Sequence, residues 1–150
     1  MAEAAFIADV MVGKLARWLR VLGFDVLYSN KYEDDEIIPI SDTEGRLILT
    51  RDVQLAARRP GTQSLFIESG DYKEQVRQVV QSLNLKEFKA LSRCLECNAR
   101  LEEVDKEAAF DRVPPFVYLT QERFARCPNC DRIYWRGTHT QEMLKQIRHS

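Results

Sequence analysis

Two groups of side chains in this sequence have types and spacings that could do chemistry. The first is sulfur. Cys94-Leu95-Glu96-Cys97 and Cys127-Pro128-Asn129-Cys130 each place two thiols on one tight turn. Two such turns offer the closed tetrahedral shell that zinc takes in structural sites, with no position left for water. The stretch from Asn98 to Arg126 is longer than the usual zinc-finger spacing, which suits a ribbon better than a standard finger. A lone Cys-x-x-Cys could instead be a dithiol redox centre, but two pairs favour the metal. His139 and His149 are the only histidines, and four thiolates need neither. His149 reads as part of a solvated tail.

The second group is oxygen. Asp9, Asp34 and Asp52 each follow, or open the helix after, a short apolar run, and Glu68 and Asp71 follow a fourth. If those runs are parallel strands, all these acids reach one edge of a sheet. Ligands of open parallel sheets bind at that edge, beyond the carboxyl ends of the strands. Carboxylates gathered together are costly unless a cation neutralises them, and magnesium and manganese prefer such hard oxygen ligands. Two such ions about 4 Å apart can activate a water and stabilise a leaving oxygen in phosphodiester hydrolysis. Taken singly, an acid in the first turn of a helix is also an ordinary cap or dipole partner. No lysine-containing phosphate loop is present, which argues against nucleotide-triphosphate chemistry.

The elements that must position these residues can be read from periodicity. Ala5–Ala8, Asp25–Tyr28, Leu47–Thr50 and Ser64–Ile67 are expected strands. Between the first two, Val12, Leu15, Ala16, Leu19 and Leu22 recur at helical spacing, with Gly23 as the stop, and Lys14, Arg17 and Arg20 form a neighbouring stripe. A second helix is expected from Asp34 to Gly45, with Pro39 fitting awkwardly inside it. A short third should follow Asp52 and stop at Arg59-Pro60-Gly61, and a fourth should span Asp71 to Leu83. The fold class is therefore α/β, a doubly wound parallel sheet.

At about Ala90 the composition changes. Both cysteine pairs, Pro114-Pro115 and the aromatic stretches Phe116-Val117-Tyr118 and Ile133-Tyr134-Trp135 suggest hairpins, and a last helix is expected from Thr140 to Ile147 with Thr140 as its cap. The expected organisation is 1–90 for the α/β layer and 91–150 for the ribbon and final helix. The 150 residues carry 22 basic and 23 acidic side chains, so nucleic-acid binding would need a local basic patch rather than a global field. No apolar run approaches the roughly 20 residues that cross a bilayer. The start lacks a basic, then long apolar, secretory pattern, and the expectation is a cytoplasmic protein with no membrane partner.

With these residues in hand, the chain resembles the Mut-seven C-terminal RNase family, a branch of the PIN-like nucleases with a C-terminal zinc ribbon. The resemblance runs through Phe6-Ile7-Ala8-Asp9, Leu15-Ala16-Arg17-Trp18-Leu19-Arg20, Asp34-Asp35-Glu36-Ile37 and Leu49-Thr50-Arg51-Asp52. It continues through Ser92 to Asn98, Cys127 to Cys130 and Tyr134-Trp135-Arg136-Gly137-Thr138-His139. It implies a PIN-like doubly wound parallel sheet with an appended four-cysteine zinc ribbon. The implied activity is metal-dependent hydrolysis of RNA phosphodiester bonds, endonucleolytic, with Asp9, Asp34 and Asp52 holding magnesium or manganese and Asp71 as a weaker fourth acid.

Single-stranded RNA is the expected substrate. Lys14, Arg17, Arg20, Arg126, Arg132, Arg136 and His139 are candidate phosphate contacts, and Tyr134 or Trp135 could stack on a base. A basic stripe is equally what a solvated helix face looks like, and Trp18 and Trp135 equally suit packing. Two other readings stay open: a non-catalytic RNA- or protein-binding module with vestigial acids, and a toxin-like nuclease restrained by a partner.

Overall fold

Period-two alternation in short apolar runs builds a two-faced sheet. Strands β1 (Ala5–Ala8), β2 (Asp25–Tyr28), β3 (Leu47–Thr50) and β4 (Ser64–Phe66) are parallel and lie in the order β2-β1-β3-β4. Phe6, Ala8, Val26 and Leu49 point to one face and Ile7 and Ile48 to the other. The computed structural model describes residues 4–58 and 63–148. The helix stop expected at Arg59-Pro60-Gly61, and His149, lie outside the described residues.

Helices cover both faces. On the first, α1 (Gly13–Val21) buries Leu15, Ala16 and Leu19 beside α4 (Tyr72–Ser82), which contributes Val76 and Val79. On the second, α2 (Asp34–Glu44) and α3 (Val53–Arg58) bury Ile37, Ile38 and Leu55. Pro39 sits inside α2, as its sequence position required. The chain leaves β1 toward β2 on one side and returns to β3 on the other. The carboxyl ends of β1 and β3 therefore flank the point where strand order reverses, the place where ligands of open parallel sheets bind.

The C-terminal part is a small antiparallel sheet, β5 (Glu102–Val104), β6 (Phe124–Arg126) and β7 (Ile133–Tyr134), in that order. Phe116-Val117-Tyr118, expected in a hairpin, is instead helical in α5 (Pro115–Thr120). Pro115 occupies the first turn, where its fixed φ and missing N–H favour a helix start over a strand. The last helix, α6 (Thr138–Arg148), begins two residues before the expected cap at Thr140. Its Met143, Leu144 and Ile147 join the core built by α1 and α4, so packing crosses the compositional boundary near residue 90.

Candidate functional site

The acidic edge is held by a chain of hydrogen bonds through β3. Asp9, directly after β1, is buried at 5% exposure and caps a 3-10 turn (Val10–Val12), its Oδ1 accepting the Met11 N–H at 2.9 Å. Its Oδ2 accepts the hydroxyl of Thr50, the fully buried last residue of β3. Thr50 Oγ1 in turn accepts the Asp52 N–H at 2.9 Å. One hydroxyl thus ties together the two acids that flank the topological reversal. Asp52 Oδ1 caps α3 by accepting the N–H groups of Gln54 at 2.9 Å and Leu55 at 3.3 Å, and its Oδ2 accepts no hydrogen bond among the described residues.

Asp34 is half-buried on the first residue of α2. It completes the group electrostatically. Burial pushes the Asp9 carboxyl above its ordinary value, the bonds from Thr50 and Met11 pull it back, and the charges of Asp34 and Asp52 push it further up. Asp9, Asp34 and Asp52 thus share one field, and no ion pair among the described residues neutralises any of them. Asp71 is exposed ahead of α4 and is not among the charges acting on Asp9. Glu68 is also exposed, and Arg51 pins the backbone there by donating to Ile67 O at 3.3 Å and Glu68 O at 3.4 Å.

The cysteines form a tighter group. Among the described residues, Cys94, Cys97, Cys127 and Cys130 are the metal-ligating set whose donor atoms all lie within 4.8 Å of one another; the aspartates stand farther apart. Cys94 Sγ and Cys130 Sγ are 3.7 Å apart. Zinc–sulfur bonds of about 2.3 Å in a tetrahedron separate the sulfurs by about 3.8 Å. The distance is far too long for a disulfide.

Each thiol pair sits on the same turn. Asn98 N–H donates to Cys94 O at 2.9 Å and Asp131 N–H to Cys127 O at 2.8 Å, and both residues are left-handed, with φ of 64° and 67°. Asn and Asp are the non-glycine residues that tolerate that conformation best. Cys97 N–H points at Cys94 Sγ at 3.3 Å, and Cys130 N–H at Cys127 Sγ at 3.5 Å. The Arg132 backbone N–H, against some desolvation and helped by the Arg132 guanidinium, holds the Cys130 thiol down to about 6. Burial pushes the Cys127 thiol up, and, against a hydrogen bond from the Asn129 amide, burial with the neighbouring thiols pushes Cys97 up to about 11, so closely set sulfurs resist ionising together until a cation joins them; the cluster suits zinc.

The first cysteine turn docks on the edge strand β2. Val26 turns its N–H and C=O outward; Asn98 Oδ1 accepts the former at 3.0 Å, and Arg20 Nε and Nη2 donate to the latter at 3.0 and 2.8 Å. Arg20 Nη1 also donates to Leu95 O at 2.6 Å, inside the first Cys-x-x-Cys. This covers a strand edge that would otherwise be open to pairing with another chain.

It also corrects one assignment. Arg20 is buried, with its donors spent on protein carbonyls, and is not available to RNA.

The remaining basic candidates do not converge on one surface. Lys14 lies over the Tyr72 ring at 4.0 Å, and Tyr72 stacks on Trp18 with the planes 10° apart. Both Lys14 and Tyr72 sit where α1 and α4 begin, on the acidic edge. Arg17 pairs with Glu96 at 2.7 Å on the ribbon, and Arg126 pairs with Glu102 and Asp131. Arg132 interacts with Cys130. Tyr134 places its hydroxyl 3.1 Å from Cys94 Sγ and accepts the Leu95 N–H, which orders the thiol turn rather than offering a stacking face. Trp135 lines a small cavity against Val21 and Leu91. His139 is exposed beside Glu142, and Arg136 is half-buried near it.

The sequence profile of the family described as Mut7-C RNAse domain matches residues 4–147, from β1 through α6. The chain belongs to the Mut7-C RNAse domain family. No curated protein and no solved structure matches it significantly. Membership in the Mut7-C family supports a nuclease-like, RNA-related function, with RNA as substrate or partner. No helix among the described residues is long and apolar enough to cross a membrane.

For this Mut7-C chain the site residue that sequence reading passed over is Thr50. It lies within Leu49-Thr50-Arg51-Asp52, and a hydroxyl two residues before an acid at a strand end is the available signal.

Proposed function

We propose that the chain is a metal-dependent ribonuclease whose acidic edge hydrolyses RNA phosphodiester bonds endonucleolytically. The observation that supports this best is the Asp9–Thr50–Asp52 hydrogen-bond chain at the point of strand reversal, with Asp34 adding its charge. The donor set fits magnesium or manganese: hard oxygens, a buried carboxylate under like-charge pressure, and no competing cation in an ion pair among the described residues. Asp9, Asp34 and Asp52 would hold the ion, with Asp34 and Asp52 Oδ2 bearing no other hydrogen bonds among the described residues. Asp71 is a peripheral fourth acid, too exposed to share the Asp9 field. A bound divalent ion supplies positive charge to the scissile phosphate and lowers the pKa of a water.

The protein's own groups do the rest. Thr50 keeps the Asp9 carboxylate oriented, and the Met11 N–H fixes its second oxygen. Lys14, held over Tyr72 and in no ion pair among the described residues, is placed to take an RNA phosphate at the start of α1. Zinc at the four cysteines fixes the ribbon, and Asn98 and Arg20 transmit that order to β2. Single-stranded RNA in a cytoplasmic setting remains the substrate this reading names.

The test is cleavage of a labelled RNA with single-stranded ends by the purified protein in magnesium or manganese, beside a chelator control and Asp9→Asn. Loss of at least about 100-fold in rate in the variant is expected, since each 1.36 kcal/mol of lost stabilisation is tenfold. Intact, zinc-loaded protein that cuts in neither metal but retains RNA would replace the nuclease with a binding module.

A further inference from the structure

Many of the charged side chains on the surface of this molecule are paired locally. Arg17 pairs with Glu96, Arg77 with Glu74, Lys106 with Glu122, Arg112 with Asp131, Arg123 with Glu103 and Arg126 with Glu102. That pattern suits a chain of net charge -1. One groove gathers several cations that have no such partner among the described residues. An open groove of about 510 Å³ between the end of α5, the end of β7 and α6 is lined by Gln121, Arg136, Thr138, Glu142, Lys145 and Arg148.

Its three cations, Arg136, Lys145 and Arg148, have no ion pair among the described residues, and the Nε of Arg136 is buried with no hydrogen-bond acceptor. The single acid, Glu142, leans toward His139 at 4.0 Å. Lys145 and Arg148 are one turn apart on the exposed side of α6, whose other side buries Leu144 and Ile147 in the core. Those two cations are therefore carried on a rigid support and spaced along a line.

The position is also informative. Arg148 borders Asn84 and Leu85, just past the C-terminal end of α4. Helix α4 starts after β4 at the acidic edge, so its C-terminal end lies at the opposite edge of the sheet. The groove and the aspartates are at two ends of the same molecule.

We propose that this groove is a second, non-catalytic site for the sugar-phosphate backbone of RNA, engaged only by strands long enough to reach from the acidic edge to α6. The inference rests on the ribonuclease reading for the identity of the polyanion, but binding tests it separately. Arg136 and Lys145 supply donors to phosphate oxygens, Arg148 extends the track, and Gln121 and Thr138 add neutral polar groups at its wall. No aromatic side chain among the described residues lines the groove, so it holds strands by charge and is blind to sequence.

The experiment measures affinity for a long and a short single-stranded RNA across a salt series, using Asp9→Asn protein in magnesium-free buffer so that the strand survives. Lys145→Gln with Arg148→Gln is expected to lower the slope of log affinity against log salt by about 1.4 for the long RNA, about 0.7 for each single-strand phosphate that is no longer neutralised. The short RNA should be unaffected. The charge-keeping Lys145→Arg with Arg148→Lys should restore the slope, and the equal charge change Arg112→Gln with Arg123→Gln should leave it alone.

An unchanged slope, or an equal fall in the control variant at Arg112 and Arg123, overturns the proposal even if wild-type protein cuts RNA. A selective fall in a protein that cuts nothing upholds the groove while sinking the nuclease. Zinc content and circular dichroism of each variant show that α6 and the ribbon remain folded.

Discussion

The cysteine cluster and the acidic edge of this protein solve opposite problems. The cysteine turns close on themselves: every sulfur is presented by a local turn, and the donor atoms lie within 4.8 Å of one another before any ion is considered. The acidic edge is left open. Its carboxylates come from three separate strand-to-helix junctions, are held apart, and repel one another through a partly buried field. A site that must only hold a fold can be satisfied by its own ligands, whereas a site that must admit substrate keeps unmet charge and carries an electrostatic cost.

The sharpest way to break this contrast is to remove a sulfur. Cys127→Ser is expected to abolish zinc uptake, from one ion per chain to none, and to forfeit a share of the about 10–16 kcal/mol that structural zinc supplies in zinc-finger peptides. Because α6 follows the ribbon and buries Met143, Leu144 and Ile147 against α1 and α4, the loss should spread beyond the ribbon. Metal analysis together with thermal melting followed at the far-ultraviolet helix band checks both parts. A variant with full zinc content and unchanged melting would sink the closed-site reading.

Next in size is the seam between the regions. Arg20→Met removes three charge-assisted hydrogen bonds and strands the carbonyls of Val26 and Leu95, a loss of about 3 kcal/mol or more. Denaturant unfolding measures it. RNA affinity extrapolated to the folded fraction should not change, which separates this residue from a phosphate contact.

Thr50→Val is the next test, and it acts on the acidic edge alone. It keeps the buried shape but deprives Asp9 of a donor and the Asp52 N–H of an acceptor. The expected cost is about 1–3 kcal/mol, with weaker apparent magnesium affinity and unaltered zinc content. Equal losses of magnesium and zinc affinity would mean that the hydroxyl supports the fold as a whole rather than this edge.

How much of this was legible in the sequence follows the same division. The cysteine turns are local, so Cys-x-x-Cys spacing carries nearly all the information, down to the Asn98 and Asp131 types that accept a left-handed residue. The sheet was also readable, because short apolar runs alternating with amphipathic segments marked the strands and the acids then fell at strand ends.

Three kinds of feature were not readable. Thr50 is defined by partners 41 residues back and two residues on, a pairing that only strand order creates. Arg20 shares a helical stripe with Lys14 and Arg17, yet its burial depends on a ribbon 75 residues away. Phe116-Val117-Tyr118 has the composition of a strand, and the preceding prolines overrode it.

The smallest expected effect is the most specific to the comparison. Burial, with help from Asp34 and Asp52, raises the folded-state pKa of Asp9 above its unfolded value near 3.8. The folded chain therefore binds that proton more tightly than the unfolded chain does. Stability from this group is fully present below the unfolded pKa and is lost as pH rises through the folded one, so at neutral pH the ionised Asp9 is a liability until a cation arrives. Asp9→Asn, which removes the charge and keeps an oxygen for the Met11 N–H, should raise the melting temperature of magnesium-free protein at pH 7. The gain should shrink as pH falls toward 4 and the wild-type carboxyl takes up its proton. Added magnesium should stabilise the wild type and leave the variant unmoved, so the two melting curves would converge or cross. A variant that melts lower than wild type in the absence of metal would show that Asp9 holds the 3-10 turn more than it strains the edge, and would remove the electrostatic half of the contrast.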